Sequence, residues 1–376
     1  MARKIRVGVI FGGRSAEHEV SIVSAASVIK ALNKKKYEVL PIGITSEGRW
    51  LSSAKALDLL KQRADIEHLP EHILVPDPRK QGLVELKDSS AQVTPQQIDV
   101  AFPVLHGTYG EDGTIQGLFE LADIPYVGSG VLGSAVGMDK VVQKQLLRQM
   151  NIPVTPDEWF LMHEFAKNQK KIISLIEKNL HYPCFVKPAN LGSSVGISKA
   201  HNRRELMEAI RLAGEYDMKV LVERSVENAR EIECSVLGND DPIASVPGEI
   251  VPSNEFYDYD AKYVDGKSTA VIPAPLPGSV VKKIQKYAVE SFRAVNCSGM
   301  ARVDFLVARK SNRIVLNELN TIPGFTSISM YPKLWQASGL TYEDLLDQLV
   351  QLALERHKTK MTLKTRYEPK SDWFKS

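Results

Sequence analysis

Three segments carry side chains whose types and spacing suit the handling of a charged small molecule. The first is Lys187-Pro188-Ala189-Asn190-Leu191-Gly192-Ser193-Ser194-Val195-Gly196. Its glycines and serines let backbone N–H groups close around an anion. Lys187, at the end of a strand-like run, adds a compact positive charge for phosphate. A plain hairpin turn has the same composition, and no Gly-Lys-Ser/Thr follows, so this is not a Walker loop. The second segment pairs Asp304 with Glu318 and Asn320. Glu318 and Asn320 lie two apart, which puts both on one face of a strand. Carboxylates on an apolar strand need compensation, and two carboxylates with an amide oxygen suit Mg2+. Arg302 shares the face of Asp304, so a solvent-facing Arg–Asp–Glu network accounts for the spacing equally well. The third is Gly12-Gly13-Arg14-Ser15-Ala16-Glu17-His18-Glu19, read as a strand-to-helix turn, where open α/β sheets place ligands. Acidic residues there also complement the helix dipole. His106, which opens His106-Gly107-Thr108-Tyr109-Gly110-Glu111-Asp112-Gly113, suits either a site or a buried structural role. Neither turn has the G-x-G-x-x-G pattern, which removes the main support for a nicotinamide-dependent dehydrogenase.

The elements that must position these residues follow from periodicity. Residues 5–11 (IRVGVIF) and 37–44 (YEVLPIGI) read as strands, and Ile22, Val23, Ala26, Ile29 and Leu32 recur at helical spacing between them. That is a βαβ unit and implies a parallel sheet. Residues 65–97 read as polar, Pro-rich connections, 98–105 as a buried strand, and 132–150 as one long helix. Strand-like runs at 183–187, 219–222, 232–237, 271–272, 301–307 and 313–316, with helices near 280–295 and 342–354, predict an antiparallel α+β region.

Composition sets the outer bounds. At 376 residues, 43 % hydrophobic and 25 % charged, the chain is long enough for two to three globular domains at ~150 residues each. The net charge is +3, and the segment 356–376 alone holds seven Lys/Arg against Glu368 and Asp372. The remaining body has no basic surplus of the kind that nucleic-acid binding needs, and the tail reads as a frayed, solvated end. Cys184, Cys234 and Cys297 are scattered, which excludes a disulfide framework and a CxxC zinc site and predicts buried thiols. The start is too short in apolar residues for a signal peptide, and no run approaches a membrane span. A cytoplasmic protein without membrane or nucleic-acid partners is expected.

Taken in order, the N-terminal turn, HGTYGEDGTIQG (106–117), the GSSVG loop, and NELNTIPGFTSISMYPKLW (317–335) with Asp304 before it resemble the D-alanine–D-alanine ligases of the ATP-grasp superfamily. The resemblance runs from about Ile5 to Leu354. It implies α/β and α+β architecture: a Rossmann-like N-terminal domain (1–130), central (131–230) and C-terminal (231–358) ATP-grasp subdomains, and a poorly ordered basic tail (359–376). It further implies ATP, two Mg2+ ions replaceable by Mn2+, D-alanine as substrate, a role in peptidoglycan precursor synthesis, and a homodimer.

By this resemblance Lys140 and Lys187 hold ATP phosphates, and Ser193, Ser194 and Val195 form a lid over them. Glu223 and Val226 contact adenine, and Glu231 the ribose. Asp304, Glu318 and Asn320 match the metal ligands. Arg302 and the Gly324 N–H stabilise the tetrahedral oxyanion. Glu17 fixes the first ammonium in a triad with Ser193 and Tyr263, and His106 assists at that site. Lys262, Ser329 and Met330 surround the second carboxylate. The stretch 223–231 departs from the family pattern, with Ala229 near the place of a Gly often found before the ribose-binding Glu. Alternatives are a D-lactate- or D-serine-using ligase of the same fold, a nicotinamide-binding protein, and a non-catalytic binding protein. Retention of Lys262 and Tyr263 favours the dipeptide.

Overall fold

The computed structural model describes residues 3–67, 69–86, 95–251 and 269–368. The strand Ile5–Gly12 alternates β-branched with small residues, and Val7, Val9, Ile10 and Phe11 are completely buried. It pairs in parallel with Tyr37–Ile44 on one side and Val100–Pro103 on the other. The helix His18–Ala31 makes the crossover, as the sequence predicts. Residues 65–97 are not merely connections: Glu71–Leu74, Gly82–Leu86 and Gln96–Gln97, together with the earlier Trp50–Ser52, extend the same sheet antiparallel to seven strands. These strands are two to five residues long, too short to leave a readable period.

The expected single helix at 132–150 is two helices, Val131–Met138 and Lys140–Gln149. Asp139 breaks it: its backbone is extended, and its carboxylate accepts from the N–H groups of Val141 (3.0 Å) and Val142 (3.1 Å). This is an N-cap, and it sets Lys140 at the first helical position. A second sheet, antiparallel, runs Ser198–Ala200, Cys184–Pro188, Lys219–Arg224, Asp157–Leu161. The third, also antiparallel, runs Thr269–Val271, Gly248–Val251, Ala229–Gly238, Gly299–Ala308, Ile314–Asn320, with Ile243–Ala244 beside Ala229–Gly238. The helix Gly278–Ala294 covers it with Val280, Ile284, Ala288 and Phe292, one residue per helical turn.

The final helix, Tyr342–Met361, outruns its expected end at 354. Leu345, Leu346, Leu349 and Val350 join Val7, Phe11 and Phe102 of the first sheet and Met300 and Leu237 of the third in one core. The second sheet has a separate core around Phe160, Ile176, Leu206 and Ile210. Arg356 does not begin a solvated tail. Its guanidinium donates to the carbonyls of Tyr126 (3.0 Å) and Gly128 and lies 4.4 Å from the centre of the Tyr126 ring. The three cysteines are buried, and burial pushes the thiols of Cys184 up to about 11 and of Cys234 and Cys297 to about 12. Among the described residues no helix is long and apolar enough to cross a membrane.

Candidate active site

Two cavities that share a wall open between these layers. The larger, of about 750 Å³, lies between the second and third sheets and is lined by Lys187, Ser194, Glu223, Val226, Glu231, Asp304 and Asn317 among others. The smaller, of about 200 Å³, gathers Glu17, His106, Glu111, Ser193, Gly324, Ser329, Met330 and Lys333. Glu233, Arg302 and Glu318 line both.

The shared wall is set by strand register. Arg302 stands opposite Asn320, and Asp304 stands opposite Glu318 on one side and Glu233 on the other. The register slips between Asp304 and Phe305, a bulge that gives the 314–320 strand an extra residue. Asn317, which strict alternation would turn away from Glu318, therefore reaches Lys187 Nζ (3.2 Å), and both residues line the larger cavity. The Arg302 guanidinium grips Asp304 through two bonds, Nε–Oδ1 2.8 Å and Nη2–Oδ2 2.7 Å, and its Nε lies 3.0 Å from Glu233. Burial opposes its charge, but Asp304 and Glu233 outweigh burial and hold the guanidinium firmly protonated. Asn320 Nδ2 donates to Asp304 (3.1 Å), and Lys140 Nζ lies 3.4 Å from Glu318. The salt-bridge network exists, though largely buried rather than facing solvent. Asp304, Glu318 and Asn320 stand beside it, and their carboxylate and amide oxygens are the donor set that a hard divalent cation would take.

In the larger cavity Glu223 is the hub. Lys187 Nζ lies 2.6 Å from its Oε2, and Lys144 Nζ bonds its Oε1. Burial would raise this carboxyl, but Lys144 and Lys187 outweigh it and hold the group far below the usual range. Lys187, for which burial alone would favour the neutral form, is raised instead by Glu223 and Glu318. Val226 and Glu231 line the cavity. Lys140 lines neither cavity: its ammonium donates to the Leu191 carbonyl (2.8 Å) behind Glu318. Val195 also lines neither, and its N–H donates to the Gly192 carbonyl (3.2 Å) within the loop. Ser193 and Ser194 both adopt positive φ, 46° and 60°, and divide between the cavities.

In the smaller cavity Ser193 Oγ donates to Glu17 Oε1. Glu17 Oε2 is buried and has no hydrogen-bond partner among the described residues. A Cβ at Gly192 or Gly107 would stand 2.6 or 2.8 Å from that oxygen, so only glycine permits the carboxylate to sit there. An orphaned buried acceptor costs ~1–3 kcal/mol, a cost that a ligand donor would remove. His106 Nδ1 donates to the Ile322 carbonyl (3.1 Å), which leaves Nε2 to accept from Ser24 Oγ (3.3 Å). Burial lowers the pKa of His106 although Glu17 opposes it, and the ring is neutral. Glu111 accepts from the N–H groups of Gly107 (2.7 Å) and Ile322 (3.2 Å). Burial and the nearby Glu17 push its carboxyl up to about 8. Gly324 packs against Ser329, whose Oγ accepts from the Thr326 N–H (3.0 Å) just ahead of the helix Met330–Ala337. Lys262 and Tyr263 lie outside the described residues.

Sequence reasoning missed Lys144, Glu111, Glu233 and Lys333. Two of these had a signal: Lys144 is one helical turn beyond Lys140, and Glu233 shares the strand face of Glu231. As chemistry, the larger cavity offers paired cations and carboxylates suited to a polyphosphate with metal. The smaller offers a carboxylate oxygen, unbonded among the described residues, that suits an ammonium.

Comparison with known proteins agrees with this geometry. Residues 6–129 match the family model described as D-ala D-ala ligase N-terminus, and residues 146–351 match that for the D-ala D-ala ligase C-terminus. A D-alanine–D-alanine ligase of Natranaerobius thermophilus is 52 % identical over 95 % of this chain and 97 % of its own length. One from Chloroherpeton thalassium is 50 % identical over 94 % and 97 %. Among solved structures, the VanG D-Ala:D-Ser ligase of Enterococcus faecalis superposes with a TM-score of 0.82 at 39 % identity, covering 93 % of this chain and all of its own. The D-alanine–D-alanine ligase of Coxiella burnetii gives 0.80 at 37 % identity, covering 96 % and 97 %. The ordered motifs, the two joined cavities and these likenesses converge: the chain belongs to the D-ala D-ala ligase family.

Proposed function

We propose that this chain joins two D-alanine molecules into D-alanyl-D-alanine with ATP as the energy source, in the synthesis of peptidoglycan precursors. The observation that carries the reading is the wall of Glu233, Arg302 and Glu318 common to a polyphosphate-suited cavity and an ammonium-suited one. An amino-acid carboxylate resists attack by an amine because its charge is delocalised and oxide is a poor leaving group. Transfer of the γ-phosphoryl group makes an acyl phosphate, whose phosphate leaves when the second amine attacks.

The chain's own residues meet the needs of this route. Glu17 Oε2 receives the first ammonium and orients its carboxylate toward the wall, with neutral His106 supporting the loop beside it. Lys187 turns from Glu223 to the phosphates, and Lys140 steadies Glu318. Val226 and Glu223 meet the adenine, and Glu231 the ribose. Asp304, Glu318 and Asn320 would hold Mg2+ (two ions, replaceable by Mn2+), which supplies positive charge against the phosphoryl oxygens. Arg302 and the Gly324 N–H receive the oxyanion formed as the second amine attacks. Ser329 and Met330 border the second amino acid, with Lys262 assigned there and Tyr263 assigned to the triad with Glu17 and Ser193 by resemblance, and Ser193 to Val195 form the lid that excludes water. The reading includes division at 130 and 230 into three domains, a cytoplasmic location and a homodimer. About 50 % identity to D-alanine–D-alanine ligases over nearly the whole chain supports D-alanine over D-serine at the second position.

The test is ADP release with Mg2+ and ATP, comparing D-alanine alone, D-alanine with D-serine or D-lactate, L-alanine, and no amino acid. Release with D-alanine alone, with the dipeptide found by mass, is expected. Turnover only when D-serine or D-lactate is added would overturn the substrate and keep the chemistry. No turnover in any arm would overturn the enzyme reading.

A further inference from the structure

The mechanism leaves one strongly buried cation unused. Lys144 is fully buried on the helix Lys140–Gln149; its ammonium donates to Thr155 Oγ1 (2.5 Å) and Glu223 Oε1 and lies 3.4 Å from Asp157 Oδ1. Thr155 in turn donates to the same Glu223 oxygen (3.0 Å), and Arg148 joins Asp157. Lys144 does not line the nucleotide cavity, but Glu223 and Thr155 do. Burying a lysine without need is costly, and this one is aimed at the rear of a cavity-lining carboxylate.

The two cations on Glu223 are not equivalent. Lys187 lies on the cavity side and has an alternative partner whenever a polyphosphate enters. If Lys187 turns to phosphate, Glu223 keeps only Lys144 and Thr155. A buried carboxylate with a fixed ammonium behind it stays ionised, and an ionised carboxylate can only accept hydrogen bonds. It then favours a base edge that donates, such as an exocyclic amine, and repels a carbonyl oxygen. Without that ammonium the carboxyl is free to protonate and donate.

We propose that Lys144 is a positioning residue for base selection, holding Glu223 as an acceptor-only group so that the nucleotide cavity selects a purine bearing a 6-amine. This rests on the adenine contact assigned to Glu223 above, and it adds the residue that enforces the selection.

The experiment measures dissociation constants of ATP, GTP and purine riboside triphosphate, which lacks the 6-amine, on the full chain and on its Lys144→Met, Lys144→Arg and Glu223→Gln variants. The wild type is expected to prefer ATP to the deaminated analogue. Lys144→Met should lose ~10-fold or more of ATP affinity, the scale of a charge-assisted hydrogen bond. It should leave the analogue unchanged and narrow the gap to GTP, with partial rescue in Lys144→Arg. A general loss of structure would weaken both nucleotides alike. If Glu223→Gln loses the preference and Lys144→Met keeps it, the role of Lys144 is overturned while that of Glu223 stands. If the wild type shows no preference, the adenine contact fails and the inference with it.

Discussion

The two cavities solve the problem of buried charge in opposite ways. In the nucleotide cavity almost every charge already has a partner: Lys187 and Lys144 share Glu223, and Arg302 divides itself between Asp304 and Glu233. In the smaller cavity Glu17 keeps one buried oxygen with no hydrogen-bond partner among the described residues. A nucleotide would therefore bind by exchanging ion partners, whereas an ammonium would meet a carboxylate oxygen that the described residues leave unbonded. The surrounding cores match this division. The larger cavity lies between sheets with separate cores, where relative movement can accompany exchange. The smaller one is built mostly from segments of the first and third sheets, which share one core, with Gly192 and Ser193 of the second sheet's loop closing over it, and a fixed frame suits stereochemical choice of a small substrate.

That contrast can be broken, beginning with the wall between the cavities. Glu318→Gln should reduce turnover on the order of 10³-fold and weaken Mn2+ binding measured by titration without amino acid. Unchanged metal binding would remove Glu318 from the cation site. Glu17→Gln acts on one cavity only. The KM for D-alanine should rise ~10–100-fold, as for loss of a bond to a charged group, while the dissociation constant of ATP stays the same. An equal effect on both ligands would show that the cavities are not energetically separate.

A smaller effect concerns the Glu111 carboxyl, pushed from its ordinary 4.5 up to about 8. The folded protein holds a proton there that the unfolded chain has released between those values. Stability from this group is full below pH 4.5, declines as pH rises toward 8, and is level above it. Melting temperature of the substrate-free protein, measured against Glu111→Gln across pH 5–9, should show the wild type losing a few degrees relative to the variant. Parallel curves would mean that Glu111 is ionised throughout. Removal of residues 364–376 should change neither kinetic constants nor melting temperature, because the last packed helix ends at Met361 and residues 362–368 are exposed. Inactivation would assign the tail a role.

Much of this was legible in the chain. The βαβ unit follows from a 2-to-3.6 change in apolar period around Gly12-Gly13, and the common face of Glu318 and Asn320 follows from alternation. What resisted reading depends on register and cross-element contact. That Glu233 faces Asp304, and that a bulge hands Asn317 to Lys187, are set by strand pairing, which no single strand encodes. Lys144 on a polar-looking helix reads as solvated until Thr155, Asp157 and Glu223 are folded over it. The break at Asp139 had a local sign, an N-cap residue inside an apparently continuous helix, and the edge strands at 71–97 had almost none.

The most direct test of the shared wall is the fate of the substrate carboxylate oxygen. D-Alanine labelled with heavy oxygen in its carboxylate is turned over with ATP, and the released phosphate is analysed by mass. If the carboxylate meets the γ-phosphoryl group across Arg302 and Glu318, a labelled oxygen appears in the inorganic phosphate at the rate of dipeptide formation. Dipeptide formed with unlabelled phosphate would contradict the joining of the two cavities into one reaction path.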